Sequence, residues 1–171
     1  ARVDRIALLD TNPRSEHPEV QAARLPQIEK VQAGQLMAVM RDEMKPRYLT
    51  DGPNRDAILD LCMDMAKSLG PATFVNQSRA LASRPDQTET LRASLVRALV
   101  LCGRDDGLCP VHRHDLMHSL LRNSTLEIIE NAGHLPSLEQ PVQTSAALMR
   151  WPLSMASSGT ALTSRSCCGC S

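Results

Sequence analysis

The stretch ALVLCGRDDGLCP, residues 98–110, joins a continuously apolar run to a charged loop that ends on a proline. An uninterrupted apolar run of this length is typical of a strand covered on both faces, as in a parallel sheet. Gly103 to Cys109 then forms a loop, and proline is favoured in the first turn of a helix. The stretch therefore predicts a buried strand, Ala98 to Cys102, followed by a helix from Pro110 to Leu121.

Two further strand-sized runs lie on either side of this one. Val3 to Leu9 precedes the turn residues of Asp10 to Pro13, and Thr125 to Glu130 precedes a loop from Asn131 to Pro136. A closing helix is predicted from Pro141 to Trp151. The order strand–helix–strand–helix at the end of the chain is typical of a doubly wound α/β fold.

The residues between the first and second strands have a helical pattern instead. Apolar residues recur three to five positions apart, which is the spacing of one helix face. Pro46 and Gly70-Pro71 are predicted to end helices, and Asn54 is predicted to cap one. The predicted helices are Val20 to Met44, Arg55 to Ser68 and Thr73 to Ser83. Residues 14–91 are therefore interpreted as a helical cap inserted into the α/β core.

Composition and charge argue against several classes of partner. Nineteen basic and nineteen acidic residues cancel, so nothing in the charge predicts a nucleic acid or an anionic membrane as partner. No apolar run approaches the ~20 residues that cross a bilayer. Scattered thiols such as Cys62, Cys102 and Cys109 are typical of a reduced, cytoplasmic protein. We therefore expect a cytoplasmic protein that acts without nucleic acid or membrane.

Acidic side chains and one histidine follow the ends of the predicted strands. Asp10 follows the first strand, Asp105 and Asp106 follow the second, and His134 follows the third. Chemistry in open parallel sheets gathers at the carboxyl ends of the strands, so an acid and a histidine in neighbouring loops can meet there. The acid would hold the proton on one imidazole nitrogen, and the other nitrogen would act as general base on a nucleophile.

Other histidines and cysteines give weaker site predictions. His114 and His118 lie four residues apart, which can place two metal ligands on one helix face near His112, but no further ligand is evident. We interpret these histidines as a polar helix face and expect no metal and no cofactor. Residues 152–171 are Ser-rich without periodicity and are interpreted as a disordered tail. The tail carries three incidental thiols, Cys167, Cys168 and Cys170.

The strand-end loops resemble those of a known family. Residues 99–110 (LVLCGRDDGLCP) and 131–141 (NAGHLPSLEQP) are similar to the acid and histidine loops of α/β-hydrolase fold enzymes, with Gly-x-x-Asp after one strand and Gly-His after the last. Residues 5–14 (RIALLDTNPR) resemble the strand before the cap, and residues 74–86 (FVNQSRALASRPD) resemble the end of the cap. The resemblance implies a partial α/β-hydrolase fold, with the last three parallel strands of the sheet and flanking helices in residues 1–13 and 92–151 and the inserted helical cap in residues 14–91.

The resemblance also implies an activity and its residues. It implies hydrolysis of ester, lactone or related C–O and C–C bonds, without a cofactor, on a small hydrophobic ester-like substrate. His134 would be the general base, oriented by Asp106 at the fourth position of Gly-x-x-Asp. Asp10 is a rival acid, because some members place the acid after the strand before the cap. We favour Asp106 because its loop adjoins that of His134.

One motif of the family does not occur in the chain. The nucleophilic serine of these enzymes lies in Gly-x-Ser-x-Gly, and no such pattern is present. We therefore expect this chain to be the C-terminal part of a hydrolase whose nucleophile lies upstream, and to be inactive in isolation. The alternative is a non-catalytic, truncated or degenerate remnant that at most binds a ligand or partner. The sequence does not predict the oligomeric state.

Overall fold

The structure is a computed structural model that describes residues 3–151. The predicted tail, residues 152–171 with Cys167, Cys168 and Cys170, lies outside the described residues. Residues 3–151 form one parallel sheet with flanking helices and a long helical segment between the first two strands. No helix in this part of the chain has the length and apolar character that a membrane span requires.

The sheet contains three parallel strands in the order β1-β2-β3. Leu9 pairs with Leu101 on one side of the central strand, and Gly103 pairs with Ile129 on the other. The strands are β1 (Arg5–Leu9), β2 (Arg97–Gly103) and β3 (Ser124–Ile129). The prediction of three parallel strands is confirmed, and every strand end lies within two residues of its predicted position.

The central strand is covered by a helix on each face, which explains its uninterrupted apolar sequence. Residues 98–102 have no exposed surface, and alternate side chains point to opposite faces of the sheet. Full burial of one such apolar side chain contributes about 1.5–3 kcal/mol. The helix between β2 and β3 is α5 (Val111–Leu120), and the helices after β3 are α6 (Pro136–Glu139) and α7 (Pro141–Arg150). One face packs Ala98 and Val100 with Met117 and Leu121, and the other packs Leu99 and Leu101 with Ile129, Ala132 and Ala147.

The helical segment between β1 and β2 has an apolar cluster of its own. Its helices are α1 (Pro18–Gln32), α2 (Leu36–Ala38), α3 (Arg55–Ala82) and α4 (Thr88–Ala93). A π-helical turn, Val39–Met44, and a 3-10 turn, Lys45–Arg47, follow α2. The buried members of the cluster are Ile28, Val31, Leu36, Val39, Met40 and Val75.

The predicted continuous helix from Val20 to Met44 is wrong. Gly34 has a φ of 86° and interrupts it, so α1 ends at Gln32 and the chain becomes helical again at Leu36. A residue with positive φ cannot continue a right-handed helix, and glycine adopts that conformation without steric cost. The apolar spacing continues across the break because both pieces bury residues in the same cluster.

The other predicted helix ends have mixed outcomes. The break at Gly70-Pro71 is confirmed as a kink, because Gly70 lies inside α3 with φ 76° and ψ 175°. The predicted N-cap position of Asn54 is confirmed, but its side chain makes no capping hydrogen bond. The short helices α4 and α6 were not predicted, since neither contains the two turns that a periodic apolar pattern needs.

Candidate active site

The loops that follow the three strands meet at the carboxyl edge of the sheet. The loop after β2 is bonded to the loop after β3: the N–H of Arg104 donates to the carbonyl of Ile129, and that of Asp105 donates to Ala132, both at 2.9 Å. The N–H of Asp10, after β1, donates to the carbonyl of Leu101 at 3.0 Å. These short backbone bonds hold the three sequence-predicted loops side by side.

Asp106 and His134 form a direct pair. Asp106 Oδ2 lies 2.9 Å from His134 Nδ1, and the Asp106 residue is only 3% exposed. The other oxygen, Oδ1, accepts the backbone N–H groups of Leu108 and Cys109, each at 2.8 Å. Both carboxylate oxygens therefore have partners, and the turn that follows Asp106 fixes which oxygen faces the imidazole.

The electrostatics of the pair favour its charged forms. Burial acts to raise the pKa of Asp106, but the hydrogen bond from His134, the N–H groups of Cys109 and Leu108 and the charge of His134 lower it overall. Burial acts to lower the pKa of His134, but the hydrogen bond to Asp106 and the charges of Asp106, Asp10 and Glu139 raise it overall. Because an ionised carboxylate cannot donate, Nδ1 carries the proton and Nε2 remains as the basic nitrogen.

Asp10, the rival acid, has a different position. Its backbone has a positive φ of 46°, and its Oδ1 accepts the N–H of Gly103 at 3.2 Å. Asp10 makes no hydrogen bond to His134 within the described residues and acts on it through charge. Burial, opposed by the Gly103 N–H and reinforced by the charge of Asp106, raises the pKa of Asp10 to about 7.

We expect Asp10→Asn to stabilise the fold at about pH 8 and to stabilise it clearly less at about pH 5. The folded pKa of about 7 lies above the ordinary value of 3.8, so ionisation of Asp10 is disfavoured in the folded state. Wild-type stability therefore falls as the pH rises from the ordinary pKa through the folded one. Asparagine stays neutral, accepts from Gly103 and tolerates positive φ. Urea unfolding at both pH values measures the effect.

The matched control for this experiment is Asp105→Asn. Asp105 is exposed in the same loop region, so its substitution should leave the urea midpoint unchanged at both pH values. An equal change at both pH values in Asp10→Asn would contradict the raised pKa.

Glu139 holds the histidine loop, and sequence reasoning assigned it no role. Its Oε2 accepts the N–H groups of Gly133 and Leu135, at 2.9 and 3.2 Å, on either side of His134. Its Oε1 accepts the N–H and the hydroxyl of Thr50, at 2.8 and 3.0 Å. The position of Glu139, one helical turn after Pro136, was a local signal that its carboxylate could bond to the start of this helix. Its partner Thr50 had no such signal, because it lies 89 residues away in sequence.

The helical segment also contacts His134 through Tyr48. The N–H of His134 donates to the carbonyl of Tyr48 at 2.7 Å, and the two rings lie 6.3 Å apart between centroids. A β-carbon on Gly133 would lie 2.8 Å from the same carbonyl, so only glycine permits this close approach. The position of His134 therefore depends on both the sheet and the helical segment.

A cavity of about 700 Å³ lies beside the pair, between the helical segment and the sheet edge. This volume is within the range of small-molecule sites, roughly 300–1,000 Å³. His134 and Asp10 line it together with apolar side chains of the helical segment. Its apolar lining includes Met40, Met44, Tyr48, Met65, Phe74 and Leu135.

Cys109 lies beside the Asp106–His134 pair. One ligand atom from each of these three residues lies within 4.8 Å of the others. Both oxygens of Asp106 already accept hydrogen bonds, so the arrangement is an acid–base pair with an adjacent thiol. Burial and the charge of Asp106 raise the pKa of Cys109, and burial raises that of Cys102 to about 12. Neither thiol is therefore activated as a nucleophile.

The histidines predicted as a weak alternative metal site do not come together. His114 is fully buried, and its Nε2 accepts the N–H of Thr11 at 3.1 Å. His118 is exposed, with its Nδ1 2.8 Å from Ser124 Oγ. Within the described part of the chain they belong to no cluster of three potential metal ligands. The interpretation of these residues as a polar helix face is confirmed for His112 and His118, which are exposed, and is wrong for His114.

No protein-family model matches the chain, and no curated protein matches its sequence. Solved structures, in contrast, match the fold of the chain. A thermophilic esterase from Thermogutta terrifontis is 29% identical, with a TM-score of 0.80 over 86% of this chain and 54% of its own. An esterase from Exiguobacterium antarcticum is 17% identical, with a TM-score of 0.76 over 90% and 59%. An enol-lactonase from Burkholderia xenovorans LB400 is 19% identical, with a TM-score of 0.76 over 89% and 57%. The chain thus spans little more than half the length of these structures.

Proposed function

We propose that this chain, which has part of the α/β-hydrolase fold, supplies the acid and the general base of a hydrolase that cleaves ester or lactone bonds. The observation that carries the proposal is the 2.9 Å contact between His134 Nδ1 and the buried Asp106 carboxylate. It leaves Nε2 as the proton acceptor of a residue that lines a cavity. The esterases and the enol-lactonase among the similar structures support the class of reaction.

In the proposed mechanism, His134 moves a proton twice in each half of the reaction. Nε2 takes the proton of a serine hydroxyl as the serine oxygen attacks the carbonyl carbon, and the resulting imidazolium gives it to the leaving alkoxide. Nε2 then takes a proton from water, which attacks the acyl-enzyme, and returns that proton to the serine. Asp106 keeps the imidazole oriented and stabilises its charged form. Because the chain has no Gly-x-Ser-x-Gly, the serine comes from outside these 171 residues.

The proposed role of residues 14–91 is that of a cap over the site. Their side chains form the apolar wall of the cavity, and Thr50 and Tyr48 are bonded to the loop that carries His134. A cap of this kind would exclude water and select the substrate. The apolar wall favours a small ester-like substrate with a hydrophobic part.

The pKa of His134 tests the acid–base pair directly. In the wild type, NMR titration of the His134 imidazole should give a pKa above its ordinary value. Asp106→Asn removes the hydrogen bond and the charge that most strongly oppose the effect of burial, so the pKa of His134 should fall below its wild-type value. The control Asp105→Asn should leave it at the wild-type value. An unchanged pKa in Asp106→Asn would contradict the assignment of Asp106.

A second candidate function is a non-catalytic remnant that binds a ligand in the cavity. The missing Gly-x-Ser-x-Gly motif favours it. The coding DNA directly upstream of Ala1 separates the two candidates. An in-frame strand followed by Gly-x-Ser-x-Gly supports the hydrolase, and a stop codon or unrelated sequence supports the remnant.

A further inference from the structure

We propose that Arg84 and Arg113 form an anion subsite beside His134 that binds a carboxylate of the substrate. The substrate class would then be an ester or lactone that also carries a carboxylate. The identification of the bound carboxylate as part of a substrate rests on the proposed function of His134, but the presence of the subsite does not.

The two arginines reach one cavity from different parts of the fold. Arg84 follows α3 at the end of the helical segment, and Arg113 lies in the first turn of α5. Both side chains line the cavity that His134 also lines. An anion bound between them would therefore contact the helical segment and the sheet layer at once.

Arg84 is the main reason to expect a ligand. Its Nε is buried and has no hydrogen-bond partner, and its side chain forms no ion pair within residues 3–151. Arg113 Nη1 donates to the carbonyl of Leu108 at 2.9 Å, and the Arg113 side chain also bonds to the Cys109 thiol, but it has no carboxylate partner within the described residues. A buried donor without a partner destabilises a protein, so one in a cavity wall is typical of a group that a ligand satisfies.

Two of the carboxylates on the cavity wall are already neutralised by other cations. Both oxygens of Glu16 accept from Arg24, at 2.6 and 2.5 Å, and Glu43 accepts from Lys30 at 2.7 Å. The charge of Arg84 lowers the pKa of Glu16, but it is the weakest of the causes that act on this carboxyl group. The third carboxylate, Asp10, is bonded to Gly103. The positive charges of Arg84 and Arg113 are therefore left without a directly bonded carboxylate.

The position of Cys109 shows that the subsite lies close to the His134 imidazole. Burial dominates the raised pKa of its thiol, but Arg113 and Arg84 both act to lower it, so both guanidinium groups lie within electrostatic range of one sulfur atom. The same sulfur lies within 4.8 Å of a ring nitrogen of His134. A carboxylate a few bonds from the ester group of a substrate would thus reach the arginines while the ester lies at His134.

The chemistry of the subsite suits a carboxylate. A guanidinium group donates two parallel N–H bonds to the two carboxylate oxygens, and such charge-assisted bonds are stronger than neutral ones. Partial burial reduces screening by solvent and salt. A neutral ester group at the same place would leave Arg84 Nε without a charged acceptor.

Monomethyl glutarate and dimethyl glutarate provide a matched pair of probes, since they differ in one carboxylate. NMR titration of the 171-residue chain should show that monomethyl glutarate binds about tenfold more tightly than dimethyl glutarate. Arg84→Gln should remove that preference, and Arg84→Lys, which keeps the charge, should retain part of it. The control is Arg92→Gln, because Arg92 lies exposed on α4 and pairs with Glu89. It should keep the full preference.

Equal affinity for the two esters in the wild type, or binding of neither, would overturn the subsite. So would a preference that survives in Arg84→Gln. Arg84→Gln removes no hydrogen bond to the described residues, so its circular dichroism spectrum should match that of the wild type. His134→Gln should keep the tenfold preference. An unchanged pKa of His134 in Asp106→Asn, with a preference that depends on Arg84, would defeat the proposed function but not the subsite.

Discussion

Replacing His134 with glutamine is expected to lower kcat for ester hydrolysis by about 10⁴- to 10⁶-fold in the enzyme that combines this chain with a serine nucleophile. Glutamine has no basic nitrogen, so the serine hydroxyl keeps its proton and the leaving alkoxide receives none. Binding of the ester should be nearly unchanged, because the cavity wall is formed mainly by other side chains. Steady-state hydrolysis of a small chromogenic ester measures kcat and KM separately.

The control for that experiment is His118→Gln. His118 is exposed and bonded to Ser124 on the outer side of α5, so its loss should leave kcat and KM at wild-type values. If His134→Gln kept more than about one hundredth of the wild-type kcat, His134 would not be the general base.

Gly103→Ala is expected to destabilise the fold strongly. A β-carbon at Gly103 would lie 2.0 Å from the carbonyl oxygen of Gly133 and 2.3 Å from that of Ala132. Both contacts are to backbone atoms, so the loop that carries His134 would have to move away from β2. The loss should be about 3 kcal/mol or more in the free energy of unfolding. That is a large part of the roughly 5–15 kcal/mol by which domains are stable.

Urea unfolding followed by circular dichroism measures this loss, with Gly107→Ala as the matched control. Gly107 lies in the same loop, and a β-carbon there would meet no atom within 4 Å. Its substitution should change the free energy of unfolding by less than about 0.5 kcal/mol. A Gly103→Ala protein within about 1 kcal/mol of the wild type would show that the β2–β3 loop contact is not required.

Gly103 and His134 both depend on one structural feature, the contact between the loops after β2 and β3. Gly103 allows the backbones to approach, and the approach brings Asp106 to His134 Nδ1. The Gly-x-x-Asp and Gly-His patterns thus have a structural meaning in addition to their chemical one. The first glycine is required by packing, and the acid and histidine are placed by the same contact.

Much of the fold could be predicted because its signals are local. The apolar run 98–102 predicts a strand covered on both faces, and the turn residues after each strand mark where the chain leaves the sheet. Parallel strands direct their carboxyl ends to one edge, so Asp10, Asp106 and His134 were expected near each other. The break at Gly34 was missed because helical spacing on both sides of it is the same.

The sequence by itself determined the order of the elements, the three strands and the residues placed at their ends, since these depend on neighbours along the chain. Only the tertiary structure decided the rest. Glu139 with Thr50, the raised pKa of Asp10 and the buried Nε of Arg84 arise between groups far apart in sequence. Hydrogen bonding and burial depend on distances in space, and a single sequence does not state those distances.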